Sequence, residues 1–193
     1  MQFNQQMISF VTSLLEDQLP YNYYYHNLGH TLYVVDKAIE IGRHENCTEE
    51  EINLLSVAAY WHDTGYVKTY ENHEIESCLL ARQYLPGYGF STVEIDRICG
   101  LIMATKIPQS PTNKLEEILA DADLEYLGTQ DVEIKAGNLF RELQSLDPSI
   151  TEEMWKQIQI SFIQKHHYFT GFCEVNKEPV KQEYLNKLLE RFQ

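Results

Sequence analysis

The sequence predicts an all-α fold built from about eight or nine helices. Apolar residues recur at steps of three and four positions over segments of helical length, which is the spacing of one buried face on an amphipathic helix. Turn-forming residues separate these segments. No stretch alternates polar and apolar residues for long enough to indicate a β-strand.

Capping residues mark where the first of these helices begin and end. After Asn27, apolar residues follow His30 at four, eight and eleven positions, so this segment is expected to be a helix with one core-facing side. Thr48, with Glu51 three positions later, is a capping-box pattern for the next helix. Gly65 is expected to end that helix, because glycine adopts left-handed backbone angles at little cost.

The later helices are predicted in the same way. Asn72 is a candidate cap for a helix that starts at His73, and Ser91 with Glu94 forms a second capping-box pattern. Thr151 marks a further helix start. The connections are expected at residues 20–25, 86–91, 107–113, 128–130, 147–150 and 170–179.

Length and charge limit the classes of function. The 193 residues suit a single domain over the whole chain, with enough core to fold alone. The net charge of −14, from 15 basic and 29 acidic residues, repels duplex nucleic acid at long range. A small phosphorylated substrate stays compatible with that charge if a metal offsets it locally. No apolar run is long enough to cross a bilayer, so we expect no membrane partner.

Two features of the chain favour a cytoplasmic location. The N-terminus lacks the basic region and the small-residue cleavage site of a signal peptide. The four cysteines lie far apart and form no CxxC pair, which is typical of buried thiols in a reducing compartment.

Polar residues interrupt the apolar faces of three predicted helices. His30 and His62 each share a face with apolar residues. In the helix that follows Asn113, Asp123 lies at the edge of the apolar stripe and Asp121 lies well away from it. A buried carboxylate without a partner is unfavourable, and a cation would remove that cost. Imidazoles and carboxylates together suit a divalent ion that keeps water in its open positions.

Four segments, in this order, resemble the HD superfamily of metal-dependent phosphohydrolases. They are YHNLGHTLYVV, LLSVAAYWHDTGY, NHEIESCLLARQYL and ILADADLEYLG, which together span residues 25–128. The resemblance implies a helical bundle that binds a divalent metal ion (Mn, Fe, Mg, Co, Ni or Zn). The implied ligands are His30, His62, Asp63 and Asp123. The last of the four stands in a context that matches the family only approximately, so Asp121 remains the alternative ligand.

The resemblance also implies an activity, with Asp63 and His26 as its catalytic residues. The expected reaction is hydrolysis of a phosphate ester of a small molecule, with a nucleotide as the favoured substrate, by water activated at one metal. His26 lies four positions before His30 and resembles the residue that supplies the leaving-group proton in cyclic-nucleotide phosphodiesterases. The alternative is a loop histidine exposed beside the tyrosines of residues 21–25.

His73 and Lys106 are candidates for substrate binding. In some branches of the superfamily, a histidine at the position of His73 reaches a second metal or a substrate phosphate. The alternative is a surface residue in a capping turn. Lys106 stands at a predicted helix end, before Pro108, where it could bind a phosphate oxygen or favour the helix C-terminus as a cation.

Two departures from the family leave the substrate open. The nucleotidase branch keeps a glutamate shortly after the His–Asp pair, whereas Thr64, Gly65 and Tyr66 stand there in this chain. The Gly-Tyr-Pro signature of the cyclic-dinucleotide branch is also missing.

The alternative function is a non-catalytic module that binds a nucleotide or partner and keeps a structural metal. A third hypothesis, a two-metal oxygenase, needs more ligands than the sequence assigns.

Overall fold

The computed structural model describes residues 5–190 and confirms the all-α prediction. Over that range the chain forms ten α-helices and no strand. They are α1 (Gln5–Gln18), α2 (Leu28–His44), α3 (Glu49–Trp61), α4 (His73–Tyr84), α5 (Thr92–Ala104), α6 (Lys114–Leu124), α7 (Val132–Leu146), α8 (Glu152–Lys165), α9 (Gly171–Asn176) and α10 (Glu178–Glu190). Short 3₁₀ helices at Thr64–Val67, Leu85–Tyr88 and Glu125–Gly128 follow α3, α4 and α6. None of the helices described is both long and apolar enough to span a bilayer.

The helix count exceeds the expected eight or nine because α9 lies in a segment that was predicted to be a connection. Thr170 caps it, since the threonine hydroxyl accepts a hydrogen bond from the amide of Cys173 at 3.3 Å. The carboxylate of Asp121 on α6 accepts hydrogen bonds from the amide and the hydroxyl of Thr170. A helix of six residues is not stable by itself, so this tertiary contact decides that it forms.

The predicted N-caps are confirmed except at α4. Thr48 and Ser91 both form complete capping boxes with the glutamate three positions later, and Thr151 accepts from the Met154 amide. Asn27, for which no cap was predicted, also caps α2 by accepting from the His30 amide. Asn72 precedes α4 in a left-handed conformation, with φ of 56°, and its side chain caps no amide. Its Oδ1 instead accepts a hydrogen bond from Lys106.

Gly65 has a different role from the predicted helix end. Helix α3 stops at Trp61, and Gly65 lies inside the following 3₁₀ helix without a positive φ. A Cβ at this position would stand 1.9 Å from the carbonyl oxygen of His73, so only glycine lets the two segments touch. Ser77 joins them further, because its hydroxyl donates to the His62 carbonyl at 2.6 Å and accepts from the Gly65 amide at 2.8 Å.

Helix α3 occupies the centre of the main core. Its residues 54–61 are all buried, with α2 and α5 packed against it and α6 packed against both of those helices. A second apolar cluster joins α8 and α10 to the segment that follows α6. The buried members of that cluster are Tyr25, Leu124, Tyr126, Leu127, Val132, Ile160, Ile163, Tyr184, Leu185 and Leu188. Helix α6 contributes Ala122 to the main core and Leu124 to the second cluster, so Asp123 lies where the two clusters meet.

We predict that Gly65→Ala lowers the free energy of unfolding by about 2 kcal/mol or more, because the backbone at His73 cannot move away cheaply. Gly137→Ala is the matched control. It lies on the exposed side of α7, where an added Cβ would meet no atom within 4 Å, so it should be neutral or stabilise the helix. Urea unfolding of both variants measures the difference. Equal stabilities would contradict the proposed close approach.

Candidate metal centre

Three helices bring two imidazoles and a carboxylate together. His30 comes from the first turn of α2, His62 directly follows α3, and Asp123 lies near the end of α6. One potential ligand atom from each of the three lies within 4.8 Å of the others. His30 Nε2 is 3.0 Å from Asp123 Oδ1, and His62 Nε2 is 3.5 Å from the same oxygen. The group exists because α2 packs on both α3 and α6.

Asp63 adds a second carboxylate to this group. Its Oδ2 lies 3.5 Å from His30 Nε2 and 3.2 Å from His62 Nε2. Its other oxygen faces away from them, 3.4 Å from His73 Nε2 at the start of α4. The carboxylate therefore stands between the three-residue group and His73, and all four residues expected to bind the metal converge.

The hydrogen bonding of His62 indicates that a cation belongs here. The side chain is fully buried, and its Nδ1 donates to the Ala59 carbonyl at 2.7 Å. In the neutral ring, Nε2 is then an acceptor that faces carboxylate oxygens, which are acceptors too. His62 Nε2 and Asp63 Oδ2 are both buried without a hydrogen-bond partner. A divalent ion would satisfy both atoms, so the residues present fit a metal.

The pKa shifts also indicate that this group of side chains favours a nearby positive charge. Burial lowers the pKa of His30, which keeps its ring neutral as a ligand requires. Burial also opposes a charge on His62, but the carboxylates of Asp63 and Asp123 together outweigh it and raise the His62 pKa well above its usual value. Burial disfavours ionised Asp63 and Asp123, yet the neighbouring imidazoles hold the pKa of each carboxyl below its ordinary value.

Asp121 was predicted to lie well away from the core, and that prediction is wrong. The residue is fully buried, more so than Asp123, because α6 is covered on a second side by the segment before α9. Its oxygens accept hydrogen bonds from the amides of Phe169 and Thr170 and from the Thr170 hydroxyl. Burial outweighs these bonds and raises the Asp121 pKa to about 6. The structure thus brings Asp123, and not Asp121, to the histidines.

A buried glutamate that sequence reasoning missed holds His26. Glu142 of α7 is fully buried, and its carboxylate pairs with His26 Nδ1. The same carboxylate accepts from the amides of Tyr25 and His26 at 2.8 and 3.0 Å and from the Tyr70 hydroxyl at 3.2 Å. The sequence did contain a sign of this role, because Glu142 follows Leu139 by three positions on the apolar side of α7.

His73 and Lys106 have different surroundings. The His73 ring stacks on Tyr66, with centroids 3.8 Å apart, and the His26 ring packs on the same tyrosine at 4.3 Å. Beside His73, Glu74 is buried and its Oε2 has no hydrogen-bond partner. Lys106 donates to Asn72 at 2.8 Å and borders a neighbouring surface depression, so it is not brought to the metal ligands.

A cavity of about 440 Å³ opens onto these residues. Its polar end is lined by His26, Asp63, His73, Glu74 and Asp123. The rest of its lining is mostly aromatic and aliphatic and comes largely from α7, α8 and α10. Asp63 and Asp123, two of the four candidate metal ligands, therefore line one end of a pocket that is large enough for a small organic molecule.

Comparison with known proteins identifies relatives of this fold. The family model described as HD domain matches residues 27–125, and no curated protein matches the chain. Two solved structures share the fold: a predicted HD superfamily hydrolase from an uncultured Thermotogales bacterium, and Bacillus subtilis YpgQ in complex with ADP. Both are 19% identical to the chain with a TM-score of 0.66. The first alignment covers 98% of this chain and 90% of the other, and the second covers 97% and 93%.

We predict that substitutions of the two aspartates of α6 have different effects on metal binding and on stability. Asp123→Ala should weaken binding of Mn²⁺ by about a hundredfold or more, because it removes a charged oxygen from the centre. Asp121→Ala should retain the ion and instead lower the free energy of unfolding by about 1–3 kcal/mol, since it leaves the start of α9 unpaired. Calorimetric titration with Mn²⁺ and urea unfolding measure the two effects. An Asp121→Ala protein that unfolds normally but binds no metal would reverse the assignment.

Proposed function

The chain belongs to the HD-domain family, a family of metal-dependent hydrolases, and on that premise we propose that it hydrolyses a phosphate ester of a small molecule. Nucleotides are the favoured substrate class, since the YpgQ structure of the same fold holds ADP. The observation that most supports the proposal is the convergence of His30, His62, Asp63 and Asp123 at the polar end of a cavity.

We assign these four residues as ligands of one divalent ion. When bound, such an ion supplies a Lewis acid for a phosphoryl oxygen and lowers the pKa of a coordinated water. The identity of the ion stays open among Mn, Fe, Mg, Co, Ni and Zn. In the overall reaction, a water oxygen replaces the ester oxygen on phosphorus, and the leaving oxygen must receive a proton.

We assign His26 as the acid that gives this proton. The bond to Glu142 occupies Nδ1, so in the imidazolium the Nε2 proton is available to a leaving oxygen. The ring lines the cavity and packs against Tyr66 with a tilt of 31° between the ring planes, which limits its rotation. Glu142 acts as a positioning residue, because it holds the ring through hydrogen bonds to both the side chain and the backbone. A general acid of this kind contributes about 10²–10⁴-fold to rate.

We assign His73 to a phosphoryl oxygen of the substrate. Support comes from its place on the cavity lining and from the 3.4 Å separation between its Nε2 and Asp63 Oδ1. The neighbouring carboxylates of Asp63 and Glu74 overcome the effect of burial and raise the His73 pKa, which favours a ring that can donate from both nitrogens. Lys106 has less support, because its amine donates to Asn72 and does not line the cavity.

The alternative, a binding module with a structural metal, accounts for the four ligands but not for the residues around them. A metal held only for stability needs no histidine oriented by a buried glutamate at the edge of a cavity. The pairing of His26 with Glu142 therefore favours catalysis over the binding module.

We predict release of phosphate or of a phosphate ester from small substrates once a divalent ion is supplied. The measurement is a screen of nucleoside monophosphates, cyclic nucleotides, nucleoside triphosphates and sugar phosphates with each of the six metals, with duplex DNA as the expected non-substrate. Asp63→Asn is the inactive control. A screen that stays blank for every metal would favour the binding module.

We predict that His26→Ala lowers kcat by about a hundredfold or more while metal content is retained. The loss should shrink for nitrophenyl esters, whose leaving groups need little protonation. Glu142→Gln should show the same dependence on the leaving group with a smaller loss, and the exposed His167→Ala serves as control. Equal losses on good and poor leaving groups would mean that His26 binds substrate instead, and loss of metal would place it among the ligands.

A further inference from the structure

Much of the apolar lining of the cavity comes from a part of the chain that the family match does not reach. The match ends at residue 125, whereas α7, α8 and α10 all follow it. These three helices contribute Ala136, Leu139, Leu143, Trp155, Ile158, Gln159, Phe162, Ile163 and Tyr184 to the lining. Metal binding and recognition of the substrate body are thus divided between two segments of the chain.

The charges around the cavity are unsuited to a triphosphate. The ionisable lining residues at the polar end are the carboxylates of Asp63, Glu74 and Asp123 and the imidazoles of His26 and His73. Among the described residues that line this cavity, none is a lysine or an arginine. Sites for nucleoside triphosphates place such cations beside the phosphates in addition to the metal. The metal and the two imidazoles can balance the negative charge of a single phosphoryl group. A chain of three phosphoryl groups would leave negative charge uncompensated.

The apolar lining is equally unsuited to a body rich in hydroxyl groups. Trp155, Phe162 and Leu139 offer no hydrogen-bond acceptors, and a hydroxyl buried against them would lose its water partners. An aromatic or aliphatic body would instead be stabilised by removal of its surface from water. The lining therefore favours an alcohol with a flat aromatic or apolar part over a hexose, which carries a hydroxyl on almost every carbon.

Gln159 is the one amide side chain among the described residues that line this cavity. It lies on α8, is buried, and accepts a hydrogen bond at its Oε1 from the Tyr184 hydroxyl of α10 at 2.7 Å. That bond fixes the amide and occupies its oxygen, so the amide nitrogen is the group that can donate to a bound molecule. A ligand that fills the cavity would satisfy this donor with a carbonyl oxygen or a ring nitrogen.

We propose that the substrate carries one phosphoryl group on an uncharged body that includes an aromatic or apolar part, and that Gln159 recognises a hydrogen-bond acceptor on that body. The proposal rests on the proposed function, since it places the phosphoryl group at the metal end. Nucleoside monophosphates and aryl phosphates meet the description. Nucleoside triphosphates and hexose phosphates do not.

Turnover of four compounds tests the substrate class. With Mn²⁺ present, kcat/KM for thymidine monophosphate and naphthyl phosphate should exceed the values for thymidine triphosphate and a hexose phosphate by about tenfold or more. A preference for either of the latter two would overturn the proposal while leaving phosphohydrolase activity intact.

The role of Gln159 is tested by the ratio of the kcat/KM values for thymidine monophosphate and naphthyl phosphate, because a general structural defect would lower both values and leave their ratio unchanged. Thymidine monophosphate has carbonyl acceptors on its base and naphthyl phosphate has none. In Gln159→Leu, the ratio of the two kcat/KM values should fall about tenfold, mainly through KM. Gln159→Met repeats the test if the first variant folds poorly. Gln157→Leu, exposed on the same helix and outside the lining, should keep the wild-type ratio. An unchanged ratio in a folded Gln159 variant would overturn the assignment.

Calorimetric binding of thymidine and naphthol separates this inference from the proposed function. If thymidine binds and its binding weakens in Gln159→Leu, recognition of the substrate body by this pocket is supported even if no ester is cleaved. Failure of both alcohols to bind, together with turnover that ignores the body of the ester, would overturn the inference and leave the proposed function standing.

Discussion

Two carboxylates and two imidazoles meet inside this protein with too little positive charge of their own. Asp63 and Asp123 face His30 and His62 at 3.0–3.5 Å, away from bulk water. Since His62 donates its Nδ1 proton to the Ala59 carbonyl, its neutral Nε2 and the Asp63 oxygen beside it are both acceptors, and they stay unpaired unless a proton or a metal ion enters. Four groups of this kind are unfavourable to bury, and a cation is what compensates them. The surrounding helices are packed so that these four groups meet.

Close packing of the helices fixes the positions of these four side chains relative to one another. Helix α2 touches both α3 and α6, so the three helices fix one another before any ligand is considered. The turn after His62 is held to α4 by the Ser77 hydroxyl and by the missing side chain of Gly65, which brings His73 to Asp63. On the other side of α6, Asp121 anchors the start of α9. Two aspartates two positions apart thus face different partners, because this helix is buried on more than one side.

The cavity joins two parts of the chain with different tasks. Residues within the family match supply the four candidate metal ligands, and the later helices supply much of the apolar lining together with Glu142, which contacts His26. Such a division allows the reaction chemistry to stay constant while the substrate changes, because the two sets of side chains lie on separate helices.

The sequence by itself determined the helical class, most of the capping residues and the order of the His, His–Asp and Asp residues, since helical periodicity and caps are local properties of the chain. It could not determine which face of α6 meets the histidines, because a helix buried on two sides has no single apolar stripe. It also could not pair His26 with Glu142, 116 residues away, or show that Lys106 turns to Asn72. The tertiary structure decided these contacts, because they depend on how helices pack in space and leave no regular spacing in the sequence.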